Sequence, residues 1–113
     1  MGIKSLQLER LDEKVARKRA INQFYRKALG EFPGLDFMPE APYGQSNCWL
    51  TTVLIRPEEF GADRERVRLT LEAHNIESRP IWKPMHLQPI FKNYRVRGGS
   101  VSEDLFRHGL CLP

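Results

Sequence analysis

Two segments of the chain repeat apolar residues at the three- and four-residue spacing of one helix face. In the first, the apolar positions of residues 8–29 are interrupted by a basic cluster, and this pattern predicts a long amphipathic helix over about residues 6 to 29. Gly30 is placed to end that helix. In the second segment, Asp63 is placed to cap a helix that ends at about residue 75.

Three other segments have the residue types of strands. Residues 47–55 are nearly continuously apolar and rich in β-branched and aromatic side chains, which predicts a strand in the middle of a sheet that Pro57 stops. A short strand at about residues 76–80 and a last strand at 110–112, with an uncovered edge, are also expected. The prolines and glycines of residues 33–46 predict an irregular connection.

The order of these elements indicates the fold class. Ser102 is placed to cap a further short helix, with Glu103 and Asp104 in its first turn and Gly109 closing it. Helices and strands then alternate along the chain, which predicts an α+β fold. We expect a small, mostly antiparallel sheet covered on one face by the two longer helices, in a single domain over residues 1–113.

Composition limits the class of protein. With 113 residues, 41% hydrophobic and 28% charged, the chain has the composition of one soluble globular domain. It has no apolar signal-peptide region and no stretch as long as a membrane span, so we expect a cytoplasmic protein without a membrane partner. Cys48 and Cys111 are far apart in apolar surroundings, which favours buried reduced thiols over a disulfide or a metal site.

The net charge of +4 is concentrated near the start of the chain. Residues 1–30 hold eight Lys or Arg against three acidic residues, whereas the remainder is nearly balanced. A basic run from Arg17 to Lys27 is one way to follow a phosphate backbone. However, no aromatic residue is interleaved among Arg17, Lys18 and Arg19, so a solvated helix face is the better interpretation and no nucleic-acid partner is expected.

The segment most typical of a functional site is residues 77–92. Its sixteen positions contain one arginine, two lysines, a histidine, a tryptophan and three prolines. Proline fixes φ and removes a backbone donor, so the segment is expected to be a shaped, semi-rigid loop. Such a loop can grip an anionic ligand beside a flat aromatic face. The candidate ligand-binding residues are Arg79, Trp82, Lys83 and His86. The alternative is a surface connection whose tryptophan anchors it to the core.

Five pieces of the chain, in order, carry a family resemblance. They are the leading helix at 8–19, Asn47-Cys48-Trp49, residues 75–80, residues 84–88, and the closing stretch 102–113. Together they resemble the C-terminal small domain of sugar-nucleotide aminotransferases of the DegT/DnrJ/StrS type, which have fold type I and use pyridoxal phosphate. The resemblance spans nearly all of the chain. One departure is Ser102, where such enzymes more often have alanine.

The resemblance implies a division of labour between two domains. In such enzymes the cofactor lysine, the aspartate that pairs with the pyridine nitrogen and the phosphate-binding loop belong to a large N-terminal domain that this chain lacks. The chain is therefore expected to be a fragment with no catalytic and no cofactor-binding residue, and not catalytic alone. Pyridoxal phosphate is the cofactor of the parent enzyme and is not expected to bind this chain alone. Lys83 is the one lysine worth testing for that role.

The resemblance also implies a role for the proline-rich loop, which in such enzymes closes over the active site of a dimer. Arg79 would offer a bidentate fork to phosphate or carboxylate, and Lys83 a point charge. Trp82 would offer a stacking or packing face, and His86 a hydrogen bond to a sugar hydroxyl. Plainer alternatives remain for three of them: Arg79 paired with an acidic side chain at the edge of the core, Trp82 as packing, and His86 as a satisfied, half-buried histidine.

Two hypotheses for function follow. In the first, the chain is the substrate-side domain of a transaminase that acts on keto-sugar nucleotides in amino-sugar or polysaccharide biosynthesis. Its partners would be a nucleotide sugar and the large domain or the second subunit of a homodimer. In the second, the chain is a free-standing anion- or protein-binding module that kept the fold.

Overall fold

Four antiparallel strands form one sheet in the computed structural model, which describes residues 7–113. The strands are β1 (Leu35–Phe37), β2 (Thr51–Ile55), β3 (Arg79–Pro80) and β4 (Gly109–Leu112). Their spatial order is β1-β2-β4-β3, and each neighbouring pair is antiparallel. This architecture confirms the predicted α+β class and the antiparallel sheet.

Helices stand before the first strand and between the later strands. They are α1 (Leu11–Leu29), α2 (Pro57–Phe60), α3 (Arg64–Ala73) and α4 (Ser100–His108). The helix predicted over about residues 6 to 29 is confirmed over Leu11–Leu29. Residues 7–9 are also helical but are separated from α1 by a turn at Arg10, and residue 6 lies outside the described residues. Two short 3-10 turns, Met85–Leu87 and Pro89–Phe91, follow β3 in the proline-rich loop.

The core forms on one face of the sheet. Side chains alternate between the two faces of a strand, and in β2 it is Thr51, Val53 and Ile55 that are buried. Leu110 lies opposite Val53 in the neighbouring strand and is 0% exposed. Val53, Ile55 and Leu110 thus make one cluster, which confirms residues 51–55 as a central strand.

Both long helices cover this buried face. From α3, Val67 and Leu71 pack against the core cluster. From α1, the Asn22 amide donates to Thr51 Oγ1 at 3.3 Å, on the same face of β2. The expectation of a small sheet covered on one face by two longer helices is therefore confirmed.

Two predictions for residues 33–55 were wrong: the irregular connection at 33–46 and the start of the central strand. Residues 33–46 contain the short strand β1, which pairs with β2. Residues 47–50 are not part of β2, because the side chains of Ser46 and Asn47 accept hydrogen bonds from backbone amides of this segment. Ser46 Oγ accepts from the Cys48 amide and Asn47 Oδ1 accepts from the Trp49 amide, each at 3.0 Å, and Cys48 has φ of 50°. Such local hydrogen bonds compete with strand pairing.

The last strand also lies elsewhere than expected. Instead of leaving an uncovered edge, β4 is an inner strand that pairs with β2 on one side and β3 on the other. The two-residue strand β3 pairs with the edge of β4 that was expected to be uncovered.

The helix ends follow local chemistry in three of the four predicted cases, the first being Gly30, which follows the last residue of α1. Asp63 caps α3 as predicted, accepting from the Arg66 amide at 2.8 Å. Gly109 follows the last residue of α4, also as predicted. The predicted cap at Ser102 was wrong, because α4 begins two residues earlier after Gly99, and the Ser102 hydroxyl instead donates to the Gly99 carbonyl at 2.9 Å.

Part of the apolar surface is left exposed. No residue of α1 is buried, and Phe24 remains 67% exposed. The radius of gyration is 16.9 Å, against about 13 Å for a compact domain of this length. No helix within residues 7–113 has the length and apolar character needed to cross a lipid bilayer.

Arginines of the basic cluster on α1 make contacts within the chain. Arg17 pairs with Glu13 at 2.7 Å, and Arg19 donates to the Ser46 carbonyl at 2.9 Å. Arg26 donates to the Met38 carbonyl and lies over the Phe37 ring, 5.2 Å from its centroid. Two of these arginines thus hold the connection between β1 and β2, which supports the helix-face interpretation over a nucleic-acid interface.

A polar cluster joins the end of β2 to α4. Arg56 Nη1 donates to both carboxylate oxygens of Asp104 at 3.1 Å, and His108 Nδ1 lies 3.1 Å from the same carboxylate. Desolvation alone would raise the pKa of Asp104, but the hydrogen bonds and charge of Arg56, with a contribution from His108, outweigh it and lower the pKa. The ionised carboxylate is therefore stabilised in the folded chain.

The buried core predicts a steep cost for truncating Leu110. Leu110→Ala removes side-chain atoms from a fully buried position, so we expect the free energy of unfolding to fall by about 2 to 5 kcal/mol in urea denaturation. The matched control is Val101→Ala, at a side chain that is 71% exposed, where the change should stay within about 0.5 kcal/mol. Equal losses in the two variants would contradict the assigned core.

The Arg56–Asp104 pair predicts a loss of stability in acid. Because the folded pKa of Asp104 is lowered, its contribution is present above the unfolded pKa and is lost as the pH falls through the folded value. Asp104→Asn should be less stable than the parent chain at pH 7 and should lose less stability on acidification to about pH 2. Urea denaturation across that range measures both effects, and an Asp104→Asn chain with the parent's acid profile would contradict the pairing. The control is Asp36→Asn, because Asp36 is an exposed residue of β1.

Candidate functional site

An open pocket of about 580 Å³ lies where the proline-rich loop leaves the sheet. Its wall combines two cations with several large apolar side chains. The lining residues include Trp49, Ser78, Arg79, Trp82, Lys83, Phe106 and Cys111. Three of the four residues predicted from the sequence, Arg79, Trp82 and Lys83, are thus brought together.

The sheet holds the start of the loop in place. Arg79 pairs with Cys111 and Pro80 with Leu110, after which the Ile81 amide donates to the Gly109 carbonyl at 3.4 Å. A Cβ on Gly109 would lie 2.5 Å from both the Ile81 side chain and the Leu105 carbonyl, so only glycine leaves room for this approach. The prolines that follow cannot extend the pairing, and the chain turns away as a loop.

Arg79 is paired, but at the surface. Its Nε donates to Glu77 Oε1 at 2.8 Å, and the two side chains are 78% and 72% exposed. The sequence left open a pairing with an acid at the core edge, but the partner found is an exposed one. Exposed ion pairs contribute little because solvent screens them, so an incoming anion can displace Glu77 at low cost.

Trp82 does not anchor the loop in the core. It is 69% exposed and lies against Trp49, with ring centroids 6.2 Å apart and planes tilted by 43°. Trp49 is itself 62% exposed. Lys83, beside Trp82, is exposed on the wall of the same pocket. The pocket thus offers aromatic faces next to two cations.

His86 lies apart from the other three. It sits on the first 3-10 turn, is 18% exposed, and places Nε2 2.7 Å from Glu103 Oε1. It is not among the residues that line the pocket. This is the half-buried, satisfied histidine that the sequence left as an alternative, and a role in ligand binding stays a prediction.

Several pocket residues were missed from the sequence. Trp49 was assigned to a strand, although the turn-forming Ser46 and Asn47 before it are a signal for a projecting loop. Nothing local marks Phe106 or Cys111, which the strand pairing brings to the pocket. Burial raises the pKa of the Cys111 thiol, so the thiol stays protonated and is not an activated nucleophile.

The polar groups of the pocket favour an anionic ligand. Arg79 and Lys83 line it, and Glu77, the acid beside them, is already paired with Arg79. Ser78 Oγ is buried at the pocket wall without a hydrogen-bond partner among the described residues. A ligand that carries phosphate would bring oxygen acceptors to both cations, whereas Ser78 Oγ is too deeply buried for a ligand in the pocket to reach.

The described residues do not fit a site for pyridoxal phosphate. A lysine that forms a Schiff base is activated by desolvation or by a neighbouring cation. The five lysines within residues 7–113 are all exposed, at positions 14, 18, 27, 83 and 92. The same residues contain no group of three or more His, Cys, Asp or Glu side chains placed to hold a metal ion.

Comparison with known families identifies this architecture. Residues 2–113 match the family model described as the DegT/DnrJ/EryC1/StrS aminotransferase family. The chain belongs to that family. The resemblance inferred from the sequence is therefore confirmed over essentially its whole length.

Two relatives show how the chain relates to longer enzymes. It is 44% identical over 116 residues to "Putative pyridoxal phosphate-dependent aminotransferase EpsN" of Bacillus subtilis (strain 168), covering 99% of this chain and 29% of EpsN. It is 31% identical over 108 residues to GDP-perosamine synthase of Vibrio cholerae, covering 95% of this chain and 29% of that enzyme. The chain spans less than a third of the length of these relatives.

Solved structures of the family share the fold. DesI, determined in the presence of its TDP-sugar product, superposes with a TM-score of 0.83 at 25% identity, over 94% of this chain and 27% of DesI. The aminotransferase TlmJ from Streptoalloteichus hindustanus superposes with a TM-score of 0.81 at 27% identity, over 96% of this chain and 28% of TlmJ. The described sheet and helices are thus a recurrent part of larger aminotransferases.

Filling the space at Gly109 should disturb the pocket. In Gly109→Ala the new methyl group meets the Ile81 side chain and the Leu105 carbonyl, so we expect a loss of about 1 to 3 kcal/mol of stability and a shift in tryptophan fluorescence. Gly44→Ala is the control, because a Cβ at that position would meet no atom within 4 Å. If both variants keep the parent's emission and denaturation midpoint, Gly109 does not root the loop as described.

Proposed function

We propose that the chain is the small, substrate-side domain of a pyridoxal phosphate-dependent aminotransferase that acts on keto-sugar nucleotides, in amino-sugar or polysaccharide biosynthesis. The observation that carries this proposal is the pocket, where two exposed cations stand beside two exposed tryptophans. Membership of an aminotransferase family supports it. GDP-perosamine synthase among the relatives, and the TDP-sugar product of DesI, support a nucleotide sugar as the substrate class.

Each pocket group then has a role in holding the substrate. Arg79 exchanges Glu77 for phosphate oxygens, to which its guanidinium offers two parallel donors. Lys83 adds a point charge, and the Trp49 and Trp82 faces pack on the sugar or the base. These groups bind and orient the substrate, and none of them is assigned a catalytic role.

The cofactor lysine is proposed to come from outside these residues, from a large domain or from a second subunit of a homodimer. This follows from the exposed position of the described lysines, which leaves the chain not catalytic alone. The apolar side chains that α1 exposes, such as Phe24 and Leu11, support a further protein surface packed against it. We also propose a cytoplasmic location for the protein.

Titration with nucleoside diphosphates tests the proposed site. Adding GDP, TDP or UDP to the ¹⁵N-labelled chain should shift amide signals within residues 77–92 and the indole signals of both tryptophans. Arg79→Ala and Lys83→Ala should each weaken binding by about tenfold, since each removes a charge-assisted contact to phosphate. Lys92→Ala, a lysine of the same loop that does not line the pocket, should bind as the parent chain does.

Other outcomes of the titration separate the alternatives. Shifts along residues 17–27 that disappear at high salt would contradict the pocket assignment. Binding of inorganic phosphate as tight as binding of the nucleoside diphosphates would instead favour a free-standing anion-binding module. That module is compatible with the exposure of Arg79 and Lys83 without any other domain.

A further inference from the structure

The contact between His86 and Glu103 ties the proline-rich loop to α4. Glu103 lies in the first turn of α4, and its Oε1 is 2.7 Å from His86 Nε2 across 17 residues of sequence. The two side chains are 18% and 39% exposed, so solvent screens the contact less than it screens the Arg79–Glu77 pair. It is the one hydrogen bond that the His86 side chain makes within residues 7–113.

The backbone at the start of α4 is shaped to receive the imidazole. Gly99 has φ of 108°, a conformation open to glycine and strained for other residues. A Cβ on Gly99 would lie 2.9 Å from His86 Cε1 and 3.0 Å from Nε2. The edge of the ring therefore rests directly on the Gly99 backbone, and Glu103 fixes the same edge from the next turn.

This arrangement determines which ring nitrogen carries the proton. An ionised carboxylate only accepts hydrogen bonds, so Nε2 must donate, and in the neutral ring Nδ1 then holds the lone pair. Nδ1 has no hydrogen-bond partner within the described part of the chain and is not one of its buried unpaired atoms. Nδ1 is therefore left able to accept a hydrogen bond from a group outside the described residues.

The part of the proline-rich loop between Ile81 and His86 is held at both of these residues. Ile81 is tied to Gly109 at the sheet, and His86 is tied to Glu103 at the helix. Trp82 and Lys83 lie in the four residues between these ties, together with Pro84, whose φ is fixed. Glu103 therefore acts on the loop through His86, at the tie that lies away from the sheet, without contact to a ligand.

We propose that Glu103 is a positioning residue that holds His86 in the Nε2–H tautomer, so that Nδ1 accepts a hydrogen bond from a hydroxyl of the bound sugar. The ligand half of this inference rests on the proposed function. The tautomer half stands on the geometry of the chain and can be measured without any ligand.

The imidazole ¹⁵N signals test the tautomer. At about pH 8.5, above the usual range of histidine titration, the parent chain should show His86 with its proton on Nε2. Glu103→Gln replaces an obligate acceptor by an amide that can also donate, so the preference should weaken to a mixture of tautomers. Asp104→Asn, which removes the neighbouring carboxylate of α4, is the control and should leave the His86 signals unchanged.

Affinity for a GDP-sugar, compared with GDP, tests the ligand half. In Glu103→Gln the preference for the GDP-sugar should fall about threefold to tenfold, the range for one neutral hydrogen bond, while GDP itself binds as before. His86→Gln should lose the same preference.

The outcomes are distinguishable. A parent chain with the proton on Nδ1, or a Glu103→Gln chain with an unchanged tautomer, overturns the role of Glu103. A tautomer that shifts as expected, in a chain that binds neither GDP nor the GDP-sugar, supports the positioning of His86 and overturns the proposed function. Binding of both ligands with an unchanged preference overturns the hydroxyl as the partner of Nδ1.

Discussion

The pairing of β4 with both of its neighbours is the interaction on which the rest of the structure depends. Through β2 it brings Leu110 beside Val53 and completes the buried cluster. Through β3 it holds Arg79 opposite Cys111 and so fixes where the proline-rich loop begins. Core and pocket therefore share one strand of four residues. Disturbing that strand is expected to affect stability and ligand binding together.

The pocket forms because the proline-rich loop cannot continue the strand pairing of the sheet. Proline at 80 and 84 removes backbone donors, so strand pairing stops after two residues and the chain turns outward. The large side chains that follow do not reach the core and remain exposed, with Trp82 against Trp49. A flat apolar surface beside exposed cations is costly for a chain alone and useful for holding a sugar bound to phosphates.

Local signals in the sequence predicted the local structure well. The β-branched run of β2, the Asp63 cap and the glycine after α4 each act within a few residues, and each was found. The errors lie where side-chain hydrogen bonds compete with strand pairing, or where a segment distant in sequence determines the local structure. Side-chain hydrogen bonds shorten the strand before Thr51, and pairing with β2 creates β1. The approach of Trp49 to Trp82, and of Glu103 to His86, depends on tertiary packing that no spacing in the sequence records.

Treating the purified chain with pyridoxal phosphate tests most directly whether it supplies the substrate side of the enzyme and not the cofactor lysine. After dialysis and reduction with borohydride, mass spectrometry locates any modified lysine. Because the described lysines are exposed and without an activating environment, we predict no retained adduct. A stoichiometric adduct at one lysine, above all Lys83 on the pocket wall, would contradict the proposal and place the catalytic centre within this chain.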